Sequence, residues 1–174
     1  MSTTSNKPAA GQPFPILNVN MTSGEIATVG TPGERWQLVV VYRGKHCGRC
    51  KKYLNILENM KGEWAAADFD VITFSADSLE KAQADISEFS WSFPVGFGLT
   101  ETDMRRMGVY VSDPLSPDEA DGRFSEPAVF VLRPDATIQI AAISNGPSAR
   151  PDLAELLDGM IFTINNQKPA RGIA

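Results

Sequence analysis

The chain has 174 residues, of which 21% are charged, and a formal net charge of −5. That length suits one domain with a core of its own, and the composition excludes a disordered chain. The acidic balance argues against a nucleic-acid partner, which requires a basic face, and no apolar run approaches the ~18 residues of a membrane helix.

The first residues, "MSTTSNKPAAGQPFP", carry neither a charged n-region nor an apolar h-region. They read as a flexible, polar lead-in over residues 1–14, with residues 15–174 as a single domain. Without a secretory signal the expected location is the cytoplasm, where thiols stay reduced and structural disulfides are rare. "GEIATVG" is a short strand candidate closed by the turn-rich "TPGER". "WQLVVVYR" (Trp36–Arg43) is a continuous β-branched run of the kind buried on both faces of a sheet. A helix is predicted to begin near Cys47, with Tyr53, Leu54, Leu57, Met60 and Trp64 recurring on one face.

"FDVITFS" is a second buried strand, followed by a helix in which Asp77 and Glu80 have capping-box spacing. "FPVGF" is a weak, glycine-broken strand. "TETDMRRMG" is a short helix with Thr100 and Asp103 at capping-box spacing and Gly108 closing it; Met104 and Met107 on it are expected to pack in the core. Asp113–Gly122 is a turn-rich loop. "PAVFVLRPDATIQIAAIS" reads as a hairpin, and the last helix starts at Pro151 with an apolar stripe through Leu153, Leu156, Leu157 and Met160. Strands alternating with helices and ending in a hairpin predict an α/β chain, a mixed central sheet with helices on both faces, in the element order of a thioredoxin-like fold.

The two cysteines of the chain, Cys47 and Cys50, stand at the junction of the buried strand and the first helix. A CxxC pair placed there puts the first sulfur against the unpaired N–H groups and positive dipole end of the helix, which favours a thiolate. The second sulfur falls nearly one turn on, with Leu54 and Leu57, and should be the more buried. Arg43, Lys45, Arg49, Lys51 and Lys52 surround the pair, with His46 immediately before Cys47. Cations depress a thiol pKa, and the thiolate is the reactive species. Lys51 and Lys52 could equally be the solvated side of the helix, and His46 either tunes Cys47 or caps the loop. A zinc site would need four ligands, yet there is no second CxxC and His46 is the one histidine. Two inert core cysteines would have no reason to gather such charge. The pattern favours a redox pair.

These residues resemble the peroxiredoxin-like AhpC/TSA redoxins. "VVVYRGKHCGRC" is similar to that group's YRGxxCxxC segment. "VITFSADSLEKAQADISEFSWSFPVGFGLTETDMRRMGVY" resembles the peroxiredoxin middle region, "EPAVFVLRPDATI" its hairpin, and the terminal "PARG" a tail seen among such proteins. The resemblance implies a thioredoxin-like fold of the peroxiredoxin-like variant, with no bound cofactor or metal. Peroxiredoxins carry a PxxxTxxC motif; here Arg43 stands where the Pro belongs, Cys47 where the Thr belongs and Cys50 where the peroxidatic Cys belongs. At the start of the hairpin, peroxiredoxins place a peroxide-activating Arg and thioredoxins a cis-Pro. This chain has Pro127, expected to be cis, and Arg43 or Arg123 would have to replace the arginine.

The resemblance implies a thiol–disulfide oxidoreductase in which Cys47 attacks, Cys50 resolves and a Cys47–Cys50 disulfide forms. Arg43, Lys45 and His46 would lower the thiol pKa, and Pro127 would shape the substrate site. A thiol-dependent peroxidase using the same disulfide is the alternative: motif position would give Cys50 to the peroxide, exposure would give it Cys47. A non-catalytic redox sensor is the third reading. The implied partners are an external thiol reductant of the thioredoxin or glutathione type and a disulfide or peroxide substrate, with no nucleic acid, no membrane and a homodimer as an open assembly.

Overall fold

The computed structural model describes residues 8–174. In chain order the elements are β1 (Leu17–Met21), β2 (Ile26–Val29), β3 (Trp36–Val41), α1 (Gly48–Ala66), β4 (Phe69–Phe74), α2 (Leu79–Phe89), β5 (Val95–Phe97), α3 (Glu101–Met107), β6 (Val111–Ser112), β7 (Phe124–Ser125), β8 (Ala128–Leu132), β9 (Ile138–Ile143) and α4 (Leu153–Asn165). Seven strands form one mixed sheet in the order β2-β1-β5-β4-β3-β8-β9, and β6 pairs β7 as a separate small ribbon. β3 runs parallel to β4 with Val39 opposite Ile72, and antiparallel to β8 with Val41 opposite Ala128.

The β-branched run behaves as a central strand must. Leu38, Val39, Val40 and Val41 are all fully buried, because neighbours cover both faces. Side chains alternate across the sheet: Leu38 and Val40 join the core under α1, which holds Leu54, Leu57 and Trp64, while Val39 and Val41 join the one containing Phe74, Met104 and Met107. Met104 and Met107 are thus core residues, as expected. Helices lie on both faces, and the mixed thioredoxin-like sheet predicted from the element order is present.

Several local expectations change. Residues 1–7 of the predicted lead-in lie outside the described residues. The rest of it is tied down: Gly11 N–H donates to the Ile138 carbonyl at 2.7 Å, Phe14 N–H to that of Ala136 at 3.0 Å, and Phe14 is 2% exposed. Apolar Phe14, edge-on to Phe130, explains why the polar segment around it stays in place. The strand β1 was not predicted, although its burial alternates along Leu17–Met21. α2 is capped by Ser78, whose hydroxyl accepts from Lys81 N–H, and Asp77 is left for another partner. α3 starts at Thr100 and ends on Gly108 at φ 71°, as predicted. α4 is capped by Asp152, so Pro151 precedes the helix instead of opening it. The turn-rich loop Asp113–Gly122 is flanked by an unpredicted ribbon, in which Phe124–Ser125 pairs back on Val111–Ser112.

Candidate active site

β3 ends where its parallel neighbour β4 also ends, the edge at which open α/β sheets place their ligands. Tyr42 N–H still reaches the Phe74 carbonyl at 3.2 Å, and then the chain turns at Gly44. Gly44 has φ +132°, and a Cβ there would stand 2.5 Å from Asp77 Oδ1. Glycine is required on both counts. The neighbouring Lys45 N–H donates to Asp77 Oδ2 at 2.8 Å, and Cys47 N–H closes the turn on the Gly44 carbonyl at 3.0 Å. The turn delivers Cys47 as the N-cap of α1.

Cys47 caps the helix through its sulfur. Cys50 N–H donates to Cys47 Sγ at 3.2 Å, a place usually filled by a Ser or Asp oxygen. Hydrogen bonding from the Cys50 thiol, then from its backbone N–H and from Arg43, lowers the Cys47 pKa to about 6 against the opposing effect of burial. The Cys50 thiol is raised by donating to Cys47 and by burial. The two sulfurs are thus driven apart, one toward thiolate and one held as thiol. Both are unbridged. Cys47 was expected to be the exposed sulfur; it is 3% exposed against 0% for Cys50, so it is the more accessible of the two only narrowly.

Phe124 packs on the loop that leads to Cys47. Its ring takes the Arg43 guanidinium on its face, 4.9 Å from the centroid, and meets the His46 ring edge-on at 4.7 Å. The unpredicted ribbon therefore packs on the loop that precedes Cys47. Arg43 also pairs with the buried Glu126 at 3.2 Å and with Glu119 at 3.8 Å, charge to charge. Ser112 Oγ donates to the other Glu126 oxygen at 2.7 Å. His46 is held below its ordinary pKa by burial and by Arg43, and its Nε2 is buried without a hydrogen-bond partner.

The remaining predicted residues separate. Lys45 and Lys51 both point at Asp85 on α2, at 3.7 and 3.6 Å, so these cations neutralise a fully buried carboxylate whose own pKa burial raises. Lys52 and Arg49 are exposed. Arg123 ion-pairs with Asp113 at 2.8 Å and Glu101 at 3.0 Å, on the exposed side of α3, and is not the arginine at the thiol. Pro127 departs from expectation. Among the described residues there is no cis peptide bond, so Glu126–Pro127 is trans. Pro127 immediately precedes β8, at the sheet edge where β3 gives way to the Cys47 loop, and a proline there removes no ladder hydrogen bond.

Sequence reading missed Asp77, Asp85, Glu126 and Arg150. Asp77 lies 32 residues from Lys45 in the chain, and its carboxyl is raised to about 6 by burial. Arg150 lies over the Tyr53 ring at 4.6 Å, and its charge favours the thiolate form of Cys50. No local pattern marks such long-range partners. Among the described residues no group of three or more His, Cys, Asp or Glu side chains is arranged to hold a metal, and no helix is long and apolar enough to cross a membrane.

The arrangement is that of a dithiol whose first sulfur is set toward thiolate, whose second lies within the first helical turn as a thiol, and which has an arginine beside the first. Comparison with known proteins bears on the family and the fold. The profile of the AhpC/TSA family matches residues 10–141. Among solved structures, peroxiredoxin 6 of Arenicola marina superposes with a TM-score of 0.72 at 16% identity, over 90% of this chain and 73% of that one. Peroxidoxin BcpB of Mycobacterium tuberculosis gives 0.71 at 14% identity, over 90% and 98%. A candidate protein disulfide isomerase of Bacteroides thetaiotaomicron gives 0.64 at 16% identity, over 88% of each chain. A search of curated protein sequences returned no significant match.

Proposed function

The chain belongs to the AhpC/TSA family, a redox family of thioredoxin-like fold, and from that premise we propose that it is a thiol-based oxidoreductase cycling between the Cys47/Cys50 dithiol and an internal disulfide. Cys47 is the attacking thiolate and Cys50 the resolving thiol. The observation that carries this is the opposed setting of the two sulfurs, Cys47 lowered to about 6 and Cys50 raised, with Cys50 N–H on Cys47 Sγ. It weighs against giving the first attack to Cys50, as motif position alone would.

The electrophile that best suits the site is a small one. Cys47 is 3% exposed, so a hydroperoxide reaches it more readily than a disulfide on a folded protein. Cys47 thiolate attacks the terminal peroxide oxygen, the O–O bond breaks, and the alcohol or water leaves after taking a proton. The resulting sulfenic acid condenses with the Cys50 thiol, releasing water and forming the Cys47–Cys50 disulfide. Arg43 supports this reading as the guanidinium beside the sulfur, in place of the arginine missing ahead of Pro127. An external thiol then restores the dithiol.

Thiol–disulfide exchange is the second reading, favoured by the CxxC pair with its first sulfur at the helix cap. There Cys47 displaces one thiolate from the substrate disulfide, and Cys50 displaces the other from Cys47. The trans Glu126–Pro127 bond weighs against a thioredoxin-type platform. Either cycle suits a reducing compartment such as the cytoplasm. The test is rapid mixing of the reduced protein, and of Cys47→Ser and Cys50→Ser, with hydrogen peroxide and separately with a small disulfide, read by intact mass with sulfenic-acid trapping. Sulfenic acid trapped on Cys47 in the Cys50→Ser variant is the expected result. Peroxide consumed by Cys50 in the Cys47→Ser variant at the wild-type rate would overturn the assignment.

A further inference from the structure

One face of α1 carries Arg49, Lys52, Tyr53 and Ile56, at the i, i+3, i+4 and i+7 positions of a single helical stripe. Together with Arg150 and Asp152 from the segment before α4 they line an open groove of about 270 Å³. The groove is built on tertiary contacts: Tyr53 Oη donates to the Pro151 carbonyl at 2.8 Å, and the Arg150 guanidinium stacks over the Tyr53 ring at 4.6 Å. Three cations line it in a chain whose net charge is −5. Its one carboxylate, Asp152, is already engaged in capping α4 by accepting from Glu155 N–H at 2.9 Å. Arg150 donates to the Pro147 carbonyl through Nη2, while its buried Nη1 has no hydrogen-bond partner. Apart from Arg150, whose charge acts on Cys50, none of this is used by the thiol chemistry above, yet the groove begins within the turn that separates the two cysteines.

We infer that this groove binds the carboxylates of a small acidic thiol of the glutathione kind, which reduces the Cys47–Cys50 disulfide. The inference rests on the dithiol cycle proposed above. Dimensions allow it. Arg49 and Lys52 stand about 3 and 8 Å along the helix axis from Cys47 at 1.5 Å per residue, and an extended tripeptide spans about 10 Å. A thiol anchored by its carboxylates in the groove is therefore long enough to span to Cys47, the more accessible sulfur. Its thiolate attacks Cys47 Sγ, the disulfide breaks, and Cys50 leaves with the bonding pair and takes up a proton, the thiol being the form its burial favours. A second thiol attacks the mixed disulfide, releasing the oxidised small thiol and returning Cys47 as thiolate. Two electrons pass to the protein disulfide and two small thiols become one disulfide. The exposed Arg49 and Lys52 are the donors for the carboxylates, and Arg150 adds its positive charge to the same groove.

The experiment uses the full oxidised chain and three reductants: glutathione, glutathione diethyl ester, whose carboxylates are blocked, and dithiothreitol. Glutathione should reduce the wild type about tenfold faster than its ester at low salt, an advantage that shrinks as salt screens the groove. Arg49→Glu/Lys52→Glu, both on exposed positions, should abolish that advantage and leave the dithiothreitol rate unchanged within about twofold. Equal rates for glutathione and its ester in the wild type would overturn the inference, as would an equal fall with dithiothreitol. Binding of unreactive S-methylglutathione, followed by NMR titration, separates the two proposals. Saturable binding lost in Arg49→Glu/Lys52→Glu, in a chain whose dithiol does not turn over, would sink the cycle and leave the groove. A dithiol that turns over in a chain that does not bind the probe would sink the groove alone.

Discussion

Cys50 donates its backbone N–H to Cys47 Sγ at 3.2 Å, so the residue proposed to resolve the disulfide also holds the proposed attacking sulfur in place. One helical turn does both tasks, because a sulfur at the N-cap meets the free N–H three residues on. The Cys50 thiol adds a second hydrogen bond, and this is the largest influence lowering Cys47.

Alkylation of the reduced protein by iodoacetamide should therefore follow a thiolate that forms around pH 6 and should flatten by about pH 8. Cys50→Ala removes the thiol donor but keeps the N–H. The Cys47 pKa should then rise toward the ordinary thiol value, and alkylation at about pH 6 should slow by about tenfold. Ultraviolet thiolate absorbance against pH measures the shift directly. An unmoved titration midpoint in Cys50→Ala would refute the pairing.

Arg43 is shared between the Cys47 sulfur and the carboxylates of Glu126 and Glu119, which compete for the one cation. Arg43→Met should cost about 2–4 kcal/mol, less than a fully buried pair loses because Arg43 keeps some exposure, since Glu126 is left charged without a counter-ion. Adding Glu126→Gln should recover most of that stability without restoring the low thiol pKa. Denaturant unfolding of both single variants and the double variant, with thiol titration alongside, isolates the coupling. Additive stability losses would mean the ion pair is energetically idle.

Asp77 offers the opposite pH signature. Its folded pKa is raised from 3.8 to about 6 by burial, so the group favours the folded state fully below the unfolded value and loses that contribution as pH rises through about 6. Asp77→Asn keeps an oxygen for Lys45 N–H and removes the ionisation. Between about pH 4 and 7 the wild type should lose on the order of 3 kcal/mol relative to this variant. Chemical denaturation across that range, with the two chains compared at each pH, provides the check; parallel curves would exclude the effect.

Gly44→Ala should damage the site from the backbone. A left-handed φ of +132° and a Cβ 2.5 Å from Asp77 Oδ1 leave the loop no way to keep its shape. The cost should be about 2–4 kcal/mol, and Cys47 should lose alkylation rate even where the protein stays folded. Thermal unfolding and alkylation measured on the same sample separate the two effects. Wild-type values for both would show that the loop relaxes freely.

Much of the frame was legible in the residues. The run Leu38–Val41 could only be a strand covered on both faces, and the stripe Leu54, Leu57, Trp64 could only be a helix laid on it. Thr100 and Gly108 bounded α3 as read, because caps act through neighbours within one turn. Asp77 misled for the same reason: its spacing to Glu80 fits a capping box, but Ser78 caps the helix and Asp77 turns to Lys45. The β6–β7 ribbon went unread because two-residue strands carry no periodicity.

The sequence by itself determined that a dithiol would stand where a buried strand passes into a helix, since that follows from local pattern and spacing. It also determined that cations would surround the pair. Which cation serves the sulfur was decided only by the tertiary structure: Arg43 stays at Cys47, whereas Lys45 and Lys51 are drawn to Asp85. The exposure of Cys47, the trans bond at Pro127 and the groove on α1 were decided there too. Each depends on groups far apart in the chain, and charge and burial act through space over a few ångströms, whatever the distance along the sequence.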